Sequence, residues 1–475
     1  MKHAVLRNSR ARRAAVLAAC LVAITLFLPT QATAMDDLAP PASEQASPAA
    51  FTTGTRFFDD ADLSGGVYFF RRYRPRYDTE QGRYGPNLNH ASLQANLDFS
   101  SGFIGGHIGA DFGIFGSHDP FNKAAVDHEM GFVPWNDPWH PDWSKRSTDD
   151  GASIYKAALK AKAGPLWGRA GLLQPQGPGV LGVNWSFMPG TYRGINVGAE
   201  FGGLSLAAVW ADAYKAPWFR ELNDFRKNDD ESRSPWLWSA GLRYDTTNNF
   251  SVELAYGESK NHLRNGHLKT QYAMEAAGGT LSFGYHLYAM NDSSDSGRAN
   301  DNFDGIASQH FLFARLEKAP WTWRLEATYT RAPMSSPEHQ GQFAYRLTDK
   351  NGSSKGAYDV WWDARSDWNA DNEKAVFASV TRTLDDILPL PGLYAGIGAA
   401  IGFDGRGYGI AEHFKEWAFT ADFGYVKPDG PFKGAFVKFH VTEYRNGTHK
   451  PSWTYHNGFQ SERDFKCMVG IPFSL

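Results

Sequence analysis

Apolar and polar residues alternate along almost the whole of this chain, in stretches of eight to ten residues, and no helical stripe competes with them. Leu93, Ala95, Leu97 and Phe99 alternate with Ser92, Gln94, Asn96 and Asp98. Trp417, Phe419, Ala421, Phe423 and Tyr425 share one face, as do Leu281, Phe283, Tyr285, Leu287 and Ala289. The same period of two runs through 236–244, 250–256 and 195–201. Strict alternation of this length makes strands with one apolar and one polar face. Two details favour a membrane barrel over a soluble sandwich. Many apolar faces begin or end in Trp, Tyr or Phe, as an aromatic girdle at each membrane interface requires. The opposite faces carry Gly, Ser, Asn, Lys and Asp, which suit a water-filled lumen. The pattern predicts an all-β fold, a transmembrane antiparallel barrel of roughly 16–18 strands with long extracellular loops.

Residues 1–34 read as a separate unit. Lys2, Arg7, Arg10, Arg12 and Arg13 precede an apolar core from Ala14 to Leu28, and Ala32-Thr-Ala34 offers a small-x-small cleavage site. This is the pattern of a secretory signal peptide. The expected mature chain is 35–475, a single barrel domain in the outer membrane of a Gram-negative bacterium. Leu17-Ala-Ala-Cys20 is a competing lipoprotein box, but the apolar core continues past Cys20. The leader carries five of the 48 basic residues and none of the 51 acidic ones, so the mature chain has 43 basic residues against 51 acidic and a net charge of −8. That balance argues against nucleic acid as a partner. Cys467 is then the sole cysteine, on the apolar face of the last alternating segment. No apolar run of 18 follows the leader, so no transmembrane helix is expected.

His118–Asp150, Gln174–Tyr192, Asn291–Ser308, Ala332–Asp371 and Thr448–Arg463 read as loops, rich in Trp, Asp, Asn, Gly and Pro. No Gly-x-Ser-x-Gly elbow, His-Glu-x-x-His pair or phosphate loop occurs, and neither a cofactor nor a metal is expected. Gly396-Ile-Gly398 and Gly402 fit small residues on one face of a strand, and the 15 His show no ligand spacing. Two constellations stand out. Lys156, Lys160 and Lys162 fall on the polar face of one segment and Arg169 on the next, either a lumen basic row that would create a local positive field or a solvated polar face beside compensating loop acids. Trp185, Phe187 and Tyr192 lie in one loop. Trp361, Trp362 and Trp368 lie in another, interleaved with Asp359, Asp363, Arg365 and Asp367. Pyranose rings stack their C–H faces on aromatic rings while their hydroxyls bond charged groups, so this interleaving fits a sugar path. Loop packing and interface anchoring explain the same residues.

These residues also carry a resemblance. Trp185-Ser-Phe-Met-Pro-Gly-Thr-Tyr192, Tyr214-Lys-Ala-Pro-Trp218 and Asp359-Val-Trp-Trp-Asp-Ala-Arg-Ser-Asp367 resemble segments of chitoporins, in the outer-membrane porin D family. Phe439-His-Val-Thr-Glu-Tyr444, Pro451-Ser-Trp453 and Glu462-Arg-Asp-Phe-Lys466 are similar too, and the likeness spans essentially the whole mature chain. The terminal Leu475 and the Trp135–Trp143 region depart from it. The resemblance implies a monomeric barrel, assembled by the barrel-assembly machinery into outer-membrane lipid, that passes chitooligosaccharides passively. It also implies a loop folded into the lumen. Met188-Pro-Gly-Thr-Tyr-Arg193 resembles that constriction loop, which puts Tyr192 and Arg193 at the narrow point. More loosely, the basic row resembles the family's ladder of lumenal cations. Two other readings stay open: a porin of the same family for basic amino acids, peptides or small carboxylates, and a barrel-type outer-membrane hydrolase.

Overall fold

The computed structural model describes residues 56–78, 81–123, 131–132, 135–137, 140–141, 149–183, 190–227, 232–293, 302–348, 355–447 and 460–474. The expected leader, the candidate path residues Trp185 and Phe187, Met188 and Pro189 of the expected constriction loop, and Leu475 lie outside them. The wall runs in chain order through β1 (Asp62–Asp78), β2 (Arg83–Ser100), β3 (Ile108–Asn122), β4 (Gly151–Ala163), β5 (Leu166–Leu173) and β6 (Thr191–Phe201). It continues through β7 (Leu204–Lys215), β8 (Leu237–Asp245), β9 (Phe250–Ser259), β10 (Leu263–Ala276), β11 (Gly279–Asp292) and β12 (Ile306–Lys318). It closes through β13 (Trp321–Arg331), β14 (Lys374–Thr383), β15 (Leu393–Gly405), β16 (Phe414–Val426), β17 (Phe436–Asn446) and β18 (Glu462–Ser474).

The main sheet has 20 strands, of which two short ones, Asn223–Arg226 and Arg233–Ser234, extend the end of β7, leaving 18 that form the wall. Each pairs antiparallel with its neighbours in sequence, and β1 pairs with β18 (Tyr73↔Phe465, Val67↔Ile471). Closure leaves no unpaired edge, which is what a sheet surrounded by lipid needs.

Because side chains point alternately to the two faces, the sequence pattern becomes an apolar exterior. Leu97, Phe112, Leu254, Leu312, Leu325 and Phe419 are all exposed, on the outside of the barrel. Cys467 lies on this face, between Phe465 and Val469 in β18. At one end the connections are tight, as at 164–165, 202–203 and 319–320. Between β10 and β11, Ala277 and Gly278 both take positive φ (53° and 77°), the primed two-residue turn whose twist matches a hairpin. At the other end the connections are mostly long: 123–150, 174–190, 216–236 and 332–373. This division places the long loops outside the cell.

Several loop boundaries differ from the sequence reading. β3 continues past His118 to Asn122, Tyr192 lies within β6, Asn291 and Asp292 end β11, and Arg463 belongs to β18. The strands project beyond the apolar belt, so their polar ends pair in the ladder although they read as loop. Sequence reasoning also passed over the loop at 216–236, whose Phe219 and Phe225 are fully buried.

Candidate functional site

Two long loops turn inward and line the lumen. The first begins after β5. Its Gln176 amide donates to Asn196 of β6 (2.8 Å), and its Val180 amide donates to the Ser239 hydroxyl of β8 (2.8 Å). Glycines in the wall make room for it. A Cβ on Gly241 would meet the Pro178 carbonyl at 2.7 Å, and one on Gly257 would meet Val180 at 2.4 Å. At its tip, Leu181 and Gly182 pair antiparallel with Gly356 and Lys355 of the second loop.

That second loop, within 332–373, then crosses the wall strand by strand. Asp359 receives the Tyr288 hydroxyl at 2.9 Å and pairs with Lys269 at 2.7 Å. His286 stands 3.1 Å from the same carboxylate. The Trp362 indole donates to Glu326 of β13 at 2.6 Å, and its ring stacks on Phe377 of β14 (5.4 Å, 11°). Asp363 pairs with Lys466 of β18 and faces His440 of β17 at 3.4 Å. Arg365 reaches Glu462 at 2.6 Å, which also holds Arg76 of β1 at 2.5 Å. Burial opposes the charge on Asp359 and Asp363, yet Lys269 and His286 in one case, and His440 and Lys466 in the other, hold both carboxyls well below the usual range. Asp363, Arg365 and Trp368 take left-handed backbone (φ 47°, 76° and 52°), strain that these side-chain anchors sustain.

The far end of this loop is held by two carboxyls. Glu373 and Glu416 are both fully buried and hydrogen bonded to one another, while Ser366 and Tyr444 donate to Glu416 (2.6 and 2.5 Å). The Ala370 amide donates to Glu373 (3.0 Å). Burial pushes the Glu373 carboxyl up from 4.5 to about 7. An acid raised on folding holds its proton more tightly in the folded chain. Its contribution is therefore complete below the ordinary carboxylate range and is lost as pH rises through about 7. Single-channel recordings should be quiet at about pH 5 and fluctuate more at about pH 9, and Glu373→Gln should remove the difference. Equal noise at both values in the unmodified protein would contradict this role.

Sequence-predicted residues separate into three groups. Trp361 is 48% exposed, its carbonyl held by Arg324 (3.4 Å). Asp363, Arg365 and Asp367 are half-buried. Trp362 is 5% exposed and Tyr192 0%, with the Tyr192 hydroxyl on the Gly182 carbonyl at 2.8 Å. Both rings therefore anchor the loops and present no open face. Arg193 corrects the expected constriction: it shares the outward face of β6 with Ile195 and Val197 and pairs with Asp212 (2.7 Å). The register of β6 decides this, since residues of one parity point outward and Asn196, of the other, points in.

The basic row lies on the inner wall but is matched by acids. Lys156 pairs with Asp98 (2.8 Å), and Asp111 takes both Lys160 (3.0 Å) and Arg169 (3.6 Å). Lys162 stands over the Phe103 ring at 4.2 Å.

Sequence reasoning missed a cavity of about 470 Å³ between the second loop and the tight-turn end of β8–β13. Arg243, Lys269, Arg315 and Arg324 line it against Glu253, Glu317, Glu326 and Asp359, four cations to four anions. The alternation that revealed the strands also contained these residues, but not which inward residues of six strands share one height.

A closed 18-stranded wall with loops folded into its lumen is the architecture of a substrate channel. Residues 55–474 match the outer membrane porin, OprD family. The chain belongs to that family. It is 38% identical to the chitoporin of Escherichia coli (strain K12) over 440 residues, 88% of this chain and 92% of that one. Among solved OprD-type barrels it is similar to OccAB1 of Acinetobacter baumannii, with a TM-score of 0.71 and 16% identity, covering 90% of this chain and 99% of that one. It is also similar to OpdK of Pseudomonas aeruginosa, solved with vanillate (TM-score 0.69, 16% identity, 88% and 100% covered). At this identity the solved structures establish the fold. As an OprD-family porin, the protein is an outer-membrane β-barrel.

Proposed function

We propose that this porin is a passive, substrate-selective channel for chitooligosaccharides, oligomers of N-acetylglucosamine, and that its leader is removed near Ala34 on export. The observation that carries the reading is the exposed Trp361 on a loop pinned across the lumen, its carbonyl held by Arg324, which lines the cavity with Glu326. An indole face takes a sugar ring, while nearby carboxylates and guanidinium groups exchange hydrogen bonds with hydroxyl and acetamide groups. Weak contacts of this kind permit both entry and exit. The 38% identical chitoporin supports the substrate, and the equal numbers of cations and anions around the cavity suit a neutral solute better than a carboxylate.

Liposome swelling with chitobiose and with arginine tests the choice. Faster swelling in chitobiose is the expected result. Preference for arginine would favour an amino-acid porin, and turnover of the sugar by the purified protein would favour a hydrolase. The basic row sets ion selectivity in this account. Lys156→Ala leaves Asp98 without its 2.8 Å partner and should shift the reversal potential toward cations, with little effect on block by sugar. An unchanged reversal potential would remove the row from the conduction path.

A further inference from the structure

The cavity below the second loop has an aromatic surface of its own, formed by Phe311 and Phe313. Phe313 of β12 points inward and pairs directly with Gly284 of β11. A Cβ built on Gly284 would lie 2.6 Å from the Phe313 ring, so the ring covers the glycine. Phe311 stacks beside it (5.7 Å, 23°), and the His286 ring meets it edge-on (5.3 Å, 70°). Phe313 is half-buried and lines the cavity. Arg315 and Arg324 face each other across β12 and β13, bonded to Glu317 (2.6 Å) and Glu326 (2.8 Å).

We infer that Phe313 is the platform of a second saccharide subsite, on the tight-turn side of the loop, which receives a sugar ring after it leaves Trp361. The inference rests on the chitooligosaccharide reading. A half-buried aromatic ring in the cavity lining keeps part of its surface open to the lumen, where a pyranose can stack on it. The surrounding Arg–Glu pairs supply donors and acceptors in equal number of charges, which suits hydroxyl and acetamide groups and gives no net field to hold an anion. Asp359 and its partners Lys269 and His286 line the cavity beside the loop, and Arg324 of the same lining donates to the Trp361 carbonyl at 3.4 Å, which makes the two places neighbours.

Chitohexaose block in a planar bilayer tests this, with sugar added separately to each side. Phe313→Leu removes the aromatic face but still fills the space over Gly284, and Phe313→Tyr retains the ring. Residence times of block should fall about five-fold in Phe313→Leu, most clearly for sugar added on the tight-turn side, and stay near the unmodified value in Phe313→Tyr. Open-channel conductance should be the same in all three, which reports an intact barrel. Unchanged residence in Phe313→Leu, while the unmodified channel is blocked, would overturn the subsite and leave the channel reading standing. Absence of block in the unmodified channel would overturn the channel reading and the subsite with it.

Discussion

Asp363→Ala should raise the open-channel current and make it fluctuate, because the second loop loses its carboxylate links to His440 of β17 and Lys466 of β18. The carboxylate joins Lys466 and His440, and His440 continues to Asp422 at 3.0 Å, which also holds Lys438 at 3.0 Å. Removing the carboxylate takes one acid from Lys466 and one from His440, which keep Asp464 (3.8 Å) and Asp422, and loosens the loop where it meets them. The effect falls on the loop and not on the wall, whose ladder is complete without it. Heat-induced unfolding of the barrel in a gel-shift assay should therefore change little while the recording changes strongly. A quiet trace at the original conductance would mean that Asp363 is not an anchor. Asp363→Asn should give an intermediate result, since the amide keeps the shape and loses the charge.

Trp361→Ala should shorten chitohexaose block by about ten-fold without changing the open current. The Trp361 indole is exposed, whereas its neighbour is buried. Trp362 is buried between Phe377 and Trp368 with its N–H on Glu326. Trp362→Ala should disturb the loop itself and resemble Asp363→Ala in the recording, with a packing cost of about 3–5 kcal/mol. If both tryptophan variants behave alike, the division between path and anchor is wrong.

This division shows what the sequence could and could not reveal. Alternation of period two made the barrel legible, because a wall between lipid and water imposes that period on every strand. The same signal failed at strand ends such as His118–Asn122, where both faces meet water and polarity no longer marks the boundary. Asp363 and Arg365 were found from their spacing among tryptophans, but spacing could not separate Trp361 from Trp362. Adjacent residues in a loop with left-handed backbone at Asp363 point in directions that no local pattern fixes. Arg193 was misplaced because its neighbours read as loop, while β6 fixes its parity. Phe313 and Gly284 were invisible as a pair, since they are 29 positions apart and meet only through the β11–β12 register.

The most direct measurement of the central claim is single-channel current through the purified protein in a planar bilayer, with chitohexaose and then maltohexaose added. Concentration-dependent block by the first and little by the second is the expected result, because the proposed sugar path takes acetamide groups as well as ring faces. A steady current indifferent to both, or equal block by both, would contradict a chitooligosaccharide channel while leaving the OprD-family barrel in place.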